Sequence, residues 1–285
     1  MVRHPLHAGG GHWLQLDQVL GLQGDPWLSD HCLGGEAVLP AAMAVEWMAQ
    51  VAACCLPTLQ VVEARNLRVL NGVRLVDHHD RRLMVRSQPA GVPNAGETLL
   101  DVEIVDTAAL HRVCYRATIG LAHRLHPAPC LPALLPPVAP RRTGAEQAYR
   151  DYLFHGPRFR VLEGELLSNQ HGIDATVRRS TPTSFGLGGG RWCFDPALLD
   201  AMPQLAIVWS RLHFDTTPLP SAMARIRRFA ADGDGPLRLF WRTRSDAAAH
   251  WTHFDAWVAD PYGRVVLQLE GAEGAASAAL NRLAA

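Results

Sequence analysis

Asp30-His31-Cys32-Leu33-Gly34-Gly35-Glu36-Ala37-Val38-Leu39-Pro40 runs directly into Ala41-Ala42-Met43-Ala44-Val45-Glu46-Trp47-Met48-Ala49-Gln50, and this stretch sets the reading of the whole chain. A histidine precedes a glycine pair, a proline follows, and a run with helical apolar spacing begins. Gly34 and Gly35 allow a tight approach of the backbone, and Pro40 suits the first turn of a helix. The unpaired N–H groups at such a helix start point at whatever His31 faces, which favours a developing negative charge there. From Pro40 to about Leu56 the residues Met43, Val45, Trp47, Met48, Val51, Ala52 and Cys55 leave almost no polar face. That pattern predicts a helix buried nearly all round and ended by Pro57.

Upstream, His4-Pro5-Leu6 leads to Trp13-Leu14-Gln15-Leu16, which alternates as a short strand does, and Gly24-Asp25-Pro26-Trp27-Leu28 reads as a turn into the histidine segment. Downstream, strand-like runs are expected at Val61–Leu70, Val73–Val76, Arg82–Ser87, Thr98–Val105 and Arg112–Leu121. Six prolines between His126 and Pro140 exclude helix interior and central strand, so that segment reads as a linker. The pattern then starts again. A lead-in at 149–170 and a glycine-rich loop at 186–190 precede a second buried helical run, Leu198–Leu212, bearing Leu199, Leu205, Ile207, Val208 and Trp209. Strands are expected at 222–229, 237–243, 251–259 and 264–270. Thr98–Asp106 even lines up with Thr252–Asp260; each is followed by a turn, an Arg-Val strand start and a glycine near the strand end (Gly120, Gly271). Two matching halves around a proline linker point to a duplicated fold.

The 285 residues hold 48% hydrophobic and 19% charged side chains, the balance of an ordinary globular protein. Twenty-seven basic residues, all arginine, cancel 27 acidic ones, so the basic excess of a nucleic-acid binder is missing. Six cysteines without a CxxC pair read as reduced, mostly buried thiols. With neither a signal-peptide h-region nor 18 uninterrupted apolar residues, the chain reads as cytoplasmic, with no membrane partner.

His31, Gly35 and Pro40 fit the pattern HxxxGxxxxP, and here the sequence resembles the dehydratase domains of polyketide and fatty-acid synthases. The second half carries Leu198-Leu199-Asp200-Ala201-Met202-Pro203-Gln204, which is similar to that family's Leu-Leu-Asp-xxx-Gln motif. Phe154-His155-Gly156-Pro157-Arg158-Phe159 resembles its Tyr-Gly-Pro-x-Phe segment, with His155 in the tyrosine place. Val258, Asp260, Gly263, Val265 and Val266 resemble its closing segment. Phe-His-Gly-Pro and the Pro-Trp-Leu-x-Asp-His lead-in look most like iterative, polyunsaturated-fatty-acid-type or enediyne-type synthases. The resemblance implies an α+β double hotdog, two tandem units each with a long central helix wrapped by an antiparallel sheet. The expected boundaries are 1–126 and 143–275 for the units, 127–142 for the linker and 276–285 for a tail. It further implies a dehydratase that removes water from 3-hydroxyacyl groups carried on the phosphopantetheine of an acyl carrier protein. Neither a metal nor an organic cofactor is expected, and the implied partners are the carrier protein, other synthase domains and a second copy in a homodimer.

Water elimination from a 3-hydroxyacyl thioester needs a base for the α-proton, an acid for the departing hydroxyl and donors for the thioester oxygen. His31 suits the first role, because an imidazole titrating near ~6.5 is a usable base at neutral pH. The backbone N–H near Gly35, at the helix start with Pro40, suits the third. By the resemblance Asp200 is the acid, and four-residue spacing puts Gln204 on its helical face to orient it. Burial beside an apolar helix is expected to raise the Asp200 pKa and keep it protonated. His155 and Gly156 are expected to support substrate or aspartate. Met43, Trp47 and Trp209 are expected to line an acyl tunnel between the two long helices, and the 186–190 loop to flank its mouth.

Each signal also has a plainer reading. His31 by itself reads as a structural or surface histidine, Asp200 as a helix-capping carboxylate, and His155 as a core hydrogen-bonding side chain. Asp195, where the family usually has histidine, and Pro203, inside the expected helix, depart from the family pattern. His78-His79-Asp80 reads as solvated loop, Cys54-Cys55 as packing, and Arg225, Arg227 and Arg228 as either a surface for an acidic carrier protein or the wet side of a strand. Rival functions are double-bond isomerisation or ring closure on the same fold, a non-catalytic acyl-binding or scaffolding domain, and a hotdog thioesterase.

Overall fold

A computed structural model describes residues 7–8, 14–90, 96–132, 140–230, 235–244 and 246–284. His4–Leu6, Trp13 and residues 133–139 of the expected linker lie outside the described residues.

Both long helices form where the apolar runs predict them. The first, α1, spans Ala41–Cys55; Pro40 is its N-cap in extended conformation, one residue ahead of the expected first-turn position. The backbone N–H of Leu56 closes the last turn onto Ala52, just before Pro57. A short helix, α2, spans Ala145–Asp151. The second long helix, α3, spans Pro196–Phe214 and starts two residues earlier than the apolar spacing suggests, because Asp195 caps it by accepting from the N–H groups of Ala197 and Leu198. Asp195 also accepts from the Ser180 backbone and hydroxyl at 2.6 and 2.5 Å, so this departure from the family pattern has a structural use. The helix continues through Pro203, whose missing N–H leaves the Leu199 carbonyl without its usual donor.

Among the described residues one 14-stranded sheet runs through both halves. In the first half its path is His7–Ala8, Leu14–Leu20, Arg81–Pro89, Glu97–Asp106, Arg112–Ala122 and Gln60–Val69. In the second it is Thr217–Ala230, Val265–Ser277, Trp251–Ala259, Leu237–Thr243, Gly172–Val177, Leu162–Asn169 and Arg141–Gly144. The order is the same read outward from the centre in either direction: the strand after the long helix, then the last strand, then its hairpin partner. The segments Thr98–Asp106 and Thr252–Asp260 therefore occupy equivalent places. This is the double hotdog implied by the sequence, with α1 packed on the first-half strands and α3 on the second. The halves join where Gln60–Val69 pairs antiparallel with Thr217–Ala230, Ala64 opposite Ile226 and Leu67 opposite Met223. Period-2 alternation along Trp251–Ala259, with Thr252, Phe254, Ala256 and Val258 inward, buries one face of this strand against α3.

The proline-rich segment is fastened at its described ends. His126 and Pro127 pair in parallel with Phe229 and Ala230, and Cys130 bridges Arg264. Residues 278–284, within the expected tail 276–285, form a short 3₁₀ helix. No helix among the described residues is long and apolar enough to cross a membrane.

A buried carboxylate ties the helices to one another. Glu46, within α1 and fully buried, accepts from the N–H groups of Cys193 and Phe194 at 3.0 and 2.6 Å, just ahead of α3. Gln50 donates to it at 2.6 Å. Burial, only partly offset by these donors, lifts its pKa to about 7. The Glu46→Ala variant strands two buried N–H groups and should lose on the order of 2–4 kcal/mol in urea unfolding. Because the folded pKa lies above the ordinary 4.5, Glu46 contributes stability that is full below pH 4.5 and is lost as the pH rises to about 7. Glu46→Gln should flatten that decline in melts taken across the same window.

Candidate active site

The site is assembled at the seam between the halves. Gly34 and Gly35, with φ of +59° and +84°, turn the hairpin formed by Cys32–Leu33 and Glu36–Val38. That hairpin brings the Val38 carbonyl within 3.0 Å of His31 Nδ1. A carbonyl can only accept, so Nδ1 carries the proton and Nε2 keeps a lone pair. Gly35 itself is at the hairpin tip and is not among the residues lining the cavity in front of His31. The lining includes Pro40 and Ala41 instead. The first-turn N–H groups of α1 lack intrahelical partners, and no side chain at Pro40 caps them.

From the second half, residues 154–159 cross the seam. His31 and His155 form an isolated antiparallel bridge, and the Gly156 N–H donates to the Asp30 carbonyl at 2.8 Å. A Cβ at Gly156 would come within 2.7 Å of the Asp30 Cα, so only glycine permits this approach. Arg158 closes the seam with a 2.7 Å charge-assisted bond to Asp30 Oδ2.

Asp200, on α3, enters the same space. His155 Nε2 lies 3.1 Å from Asp200 Oδ2, and Gln204 Nε2 donates to that oxygen at 2.9 Å from one turn further along. Gln204 is fully buried and saturated: its amide N–H₂ also donates to the Phe159 carbonyl and its carbonyl accepts from the Tyr149 hydroxyl, each at 3.1 Å. Tyr149 in turn accepts from the Leu162 N–H at 3.0 Å. The donor atoms of His31, His155 and Asp200 all lie within 4.8 Å of one another. Residues separated by most of the chain thus share one locus.

This locus opens into a cavity of about 260 Å³. Besides the three polar groups, Leu39, Tyr115, Phe154, Ile207 and Leu219 line it, with Arg74 also on its wall. Met43, Trp47 and Trp209, expected to line a tunnel, belong to the core: Trp47 packs edge-on against Trp27, and Trp209 leans on Trp241. The cavity takes Ala41 from α1 and Asp200, Pro203, Gln204 and Ile207 from α3. The 186–190 loop also stays off the cavity; Gly186 sits against Pro26. Arg225 and Arg227 reach Glu63 and Glu270 at 2.6 and 3.2 Å, while Arg228 donates to the Cys193 carbonyl at 2.7 Å, so these arginines are engaged within the fold. His78, His79 and Asp80 are exposed.

Electrostatics divides the roles. Burial pushes His31 down to about 4, the Asp200 charge restoring only part of the loss, so the imidazole is neutral at pH 7. For Asp200 burial acts upward, but the charge and hydrogen bond of His155, then His31 and Gln204, overcome it and hold the carboxyl below its usual value. The expectation of a raised Asp200 pKa is thereby corrected: spacing along α3 reveals Gln204 but not a histidine delivered from 45 residues upstream in the chain. Tyr115, whose hydroxyl donates to the Leu39 carbonyl at 2.8 Å, Tyr149 and the Asp30–Arg158 pair are not marked out by any motif in the sequence. The one signal for Tyr149 is its place in a short helix just ahead of the Phe-His-Gly-Pro segment.

Comparison with known proteins gives a consistent picture. The family described as "Polyketide synthase dehydratase N-terminal domain" matches residues 125–283, and "Polyketide synthase dehydratase domain" matches residues 3–106. A polyunsaturated fatty acid synthase polypeptide of Thraustochytrium sp. is 23% identical over 259 residues, 88% of this chain. The chain spans about 9% of the length of that relative. Among solved structures, the dehydratase domain of the CurF module of curacin polyketide synthase superposes with a TM-score of 0.75 at 13% identity, covering 96% of this chain and 98% of that one. A trans-AT polyketide synthase dehydratase domain from Brevibacillus brevis gives 0.75 at 18%, with 96% and 99% covered. The dehydratase domain of a mycocerosic acid synthase-like polyketide synthase gives 0.70 at 23%, with 95% and 94% covered.

The His31 ring should titrate near pH 4 rather than ~6.5, read from its imidazole resonances by NMR; a midpoint above 6 would contradict the burial argument. Gly156→Ala forces the two halves apart at Asp30. A loss of roughly 1–3 kcal/mol in chemical denaturation is expected, as for overpacking elsewhere.

Proposed function

The chain belongs to the polyketide synthase dehydratase family, and from that premise we propose how its own residues remove water from a 3-hydroxyacyl thioester. The single observation that carries the reading is the convergence of His31 and Asp200 within 4.8 Å beside an apolar cavity, one residue from each half. The neutral His31 Nε2 takes the α-proton, its tautomer fixed by the Val38 carbonyl. Negative charge grows on the thioester oxygen, which the first-turn N–H groups of α1 beyond Pro40 stabilise. The C3–O bond then breaks and the hydroxyl departs as water.

Asp200 serves that leaving group as the acid. It enters the reaction ionised, accepts a hydrogen bond from the 3-hydroxyl, and receives the proton that His31 has just removed. It passes this proton to the departing oxygen, so hydrogen is moved within the site and none is drawn from solvent. Gln204 holds the carboxylate, and His155 donates to it where the family usually places a tyrosine. Gly156 sets the distance between the halves.

The acyl group is carried on the phosphopantetheine of an acyl carrier protein, and the site needs neither a metal nor an organic cofactor for this reaction. The domain works among other synthase domains in the cytoplasm and as a homodimer, in units 1–126 and 143–275 joined by 127–142.

Incubation with a 3-hydroxyacyl pantetheine thioester should release the 2-enoyl product and water, detected by mass spectrometry. His31→Ala and Asp200→Asn should each lose on the order of 10²–10⁴ in kcat/KM. Full activity in both variants would end the assignment, and a product that conserves water would favour isomerisation.

A further inference from the structure

The donor set at the seam has a second chemistry that dehydration does not use. Among the described residues, His31, His155 and Asp200 are the one group of three metal-competent side chains whose donor atoms converge, all three buried. Two imidazole nitrogens and one carboxylate oxygen make the ligand set that borderline divalent ions favour over magnesium or calcium. Zinc takes such ligands at about 2.0–2.2 Å, which places tetrahedral donors roughly 3.3 Å apart. His155 Nε2 and Asp200 Oδ2 already stand 3.1 Å apart, and the remaining separations are no greater than 4.8 Å. The site closes if the remaining separations shorten by up to about 1.5 Å.

The surroundings resemble an outer coordination shell. The Val38 carbonyl accepts from His31 Nδ1 and so presents Nε2, and Gln204 orients Asp200. His155 Nδ1 is buried with no hydrogen-bond partner, which limits the affinity of that ligand. All three side chains line the cavity, from which water or a small ligand would complete the tetrahedron.

We propose that His31, His155 and Asp200 form a zinc-binding site whose occupation shuts off catalysis by taking the lone pair of His31. Binding and dehydration are then mutually exclusive uses of the same three side chains. The metal site itself requires only the three donors and does not depend on the dehydratase reading.

The test is titration of the metal-free chain with zinc in competition with a chromophoric chelator, in the absence of substrate. One equivalent per chain is expected. His155→Gln keeps an N–H donor for Asp200 but removes the imidazole, and should weaken binding at least about tenfold, the scale that even outer-shell changes reach. His31→Ala should do the same, while His253→Ala, at a distant histidine beside Asp246, should leave it unchanged. Circular dichroism melts exclude variants that fail to fold, so the conclusion rests on whichever of the two site variants remains folded. Cobalt in place of zinc should give the visible bands of a tetrahedral centre. No binding, or binding that survives loss of His31 and of His155, overturns the proposal. Site-dependent binding by a protein that never dehydrates would leave the metal site standing and remove the dehydratase reading; dehydration that zinc leaves untouched would remove the inhibitory role.

Discussion

The candidate site depends on a backbone contact between two residues 124 positions apart. His31 and His155 face one another across a single antiparallel bridge, and Gly156 presses onto the Asp30 main chain because it has no side chain. Everything chemical is hung from that contact. The hairpin at Gly34–Gly35 fixes the His31 tautomer from one side, and α3 delivers Asp200 and Gln204 from the other. The continuous sheet and the Glu46 clamp keep these two sides from separating. Within a close-packed interior an error at the seam is transmitted rather than absorbed, which is why a remote-looking Asp30–Arg158 pair belongs to the description of the site.

Burial and partnership then act in opposite directions on the two groups that matter. Both lie in the same low-polarity space, yet His31 is driven toward its neutral form and Asp200 toward its charged form. His155 decides the second outcome. Its Nε2 stands 3.1 Å from the Asp200 carboxylate, and this histidine heads the effects that lower the Asp200 pKa against burial. The same imidazole that donates to the carboxylate supplies a third metal-competent donor, so the proposed catalysis and the proposed zinc site share a single origin.

Much of the fold was legible because its signals are local. The all-apolar runs gave both long helices, period-2 runs gave most strands, and the match between Thr98–Asp106 and Thr252–Asp260 gave the duplication. The short strands Arg141–Gly144 and Gly172–Val177 escaped notice because four to six residues carry too little pattern. For the candidate site, the sequence points to residues that the fold brings together but not to their geometry. His31, Asp200 and Gln204 were visible through motif spacing. The withdrawal of Trp47 and Trp209 into the core and the sign of the Asp200 shift follow from contacts between residues far apart in the chain, Trp27 with Trp47, Trp241 with Trp209 and His155 with Asp200. Sequence distance says nothing about such contacts. The polar bonds of Tyr149 and Tyr115 were hidden for the same reason.

The central claim is that one substrate touches both halves at once. The most direct measurement is a crystal structure with a 3-hydroxyacyl pantetheine amide, whose α-proton is too weakly acidic to be removed readily. The account predicts the α-carbon against His31 Nε2 and the 3-hydroxyl within about 2.6–3.2 Å of the Asp200 carboxylate. An analogue seated outside the seam cavity, or one that meets only one of these two side chains, would contradict it.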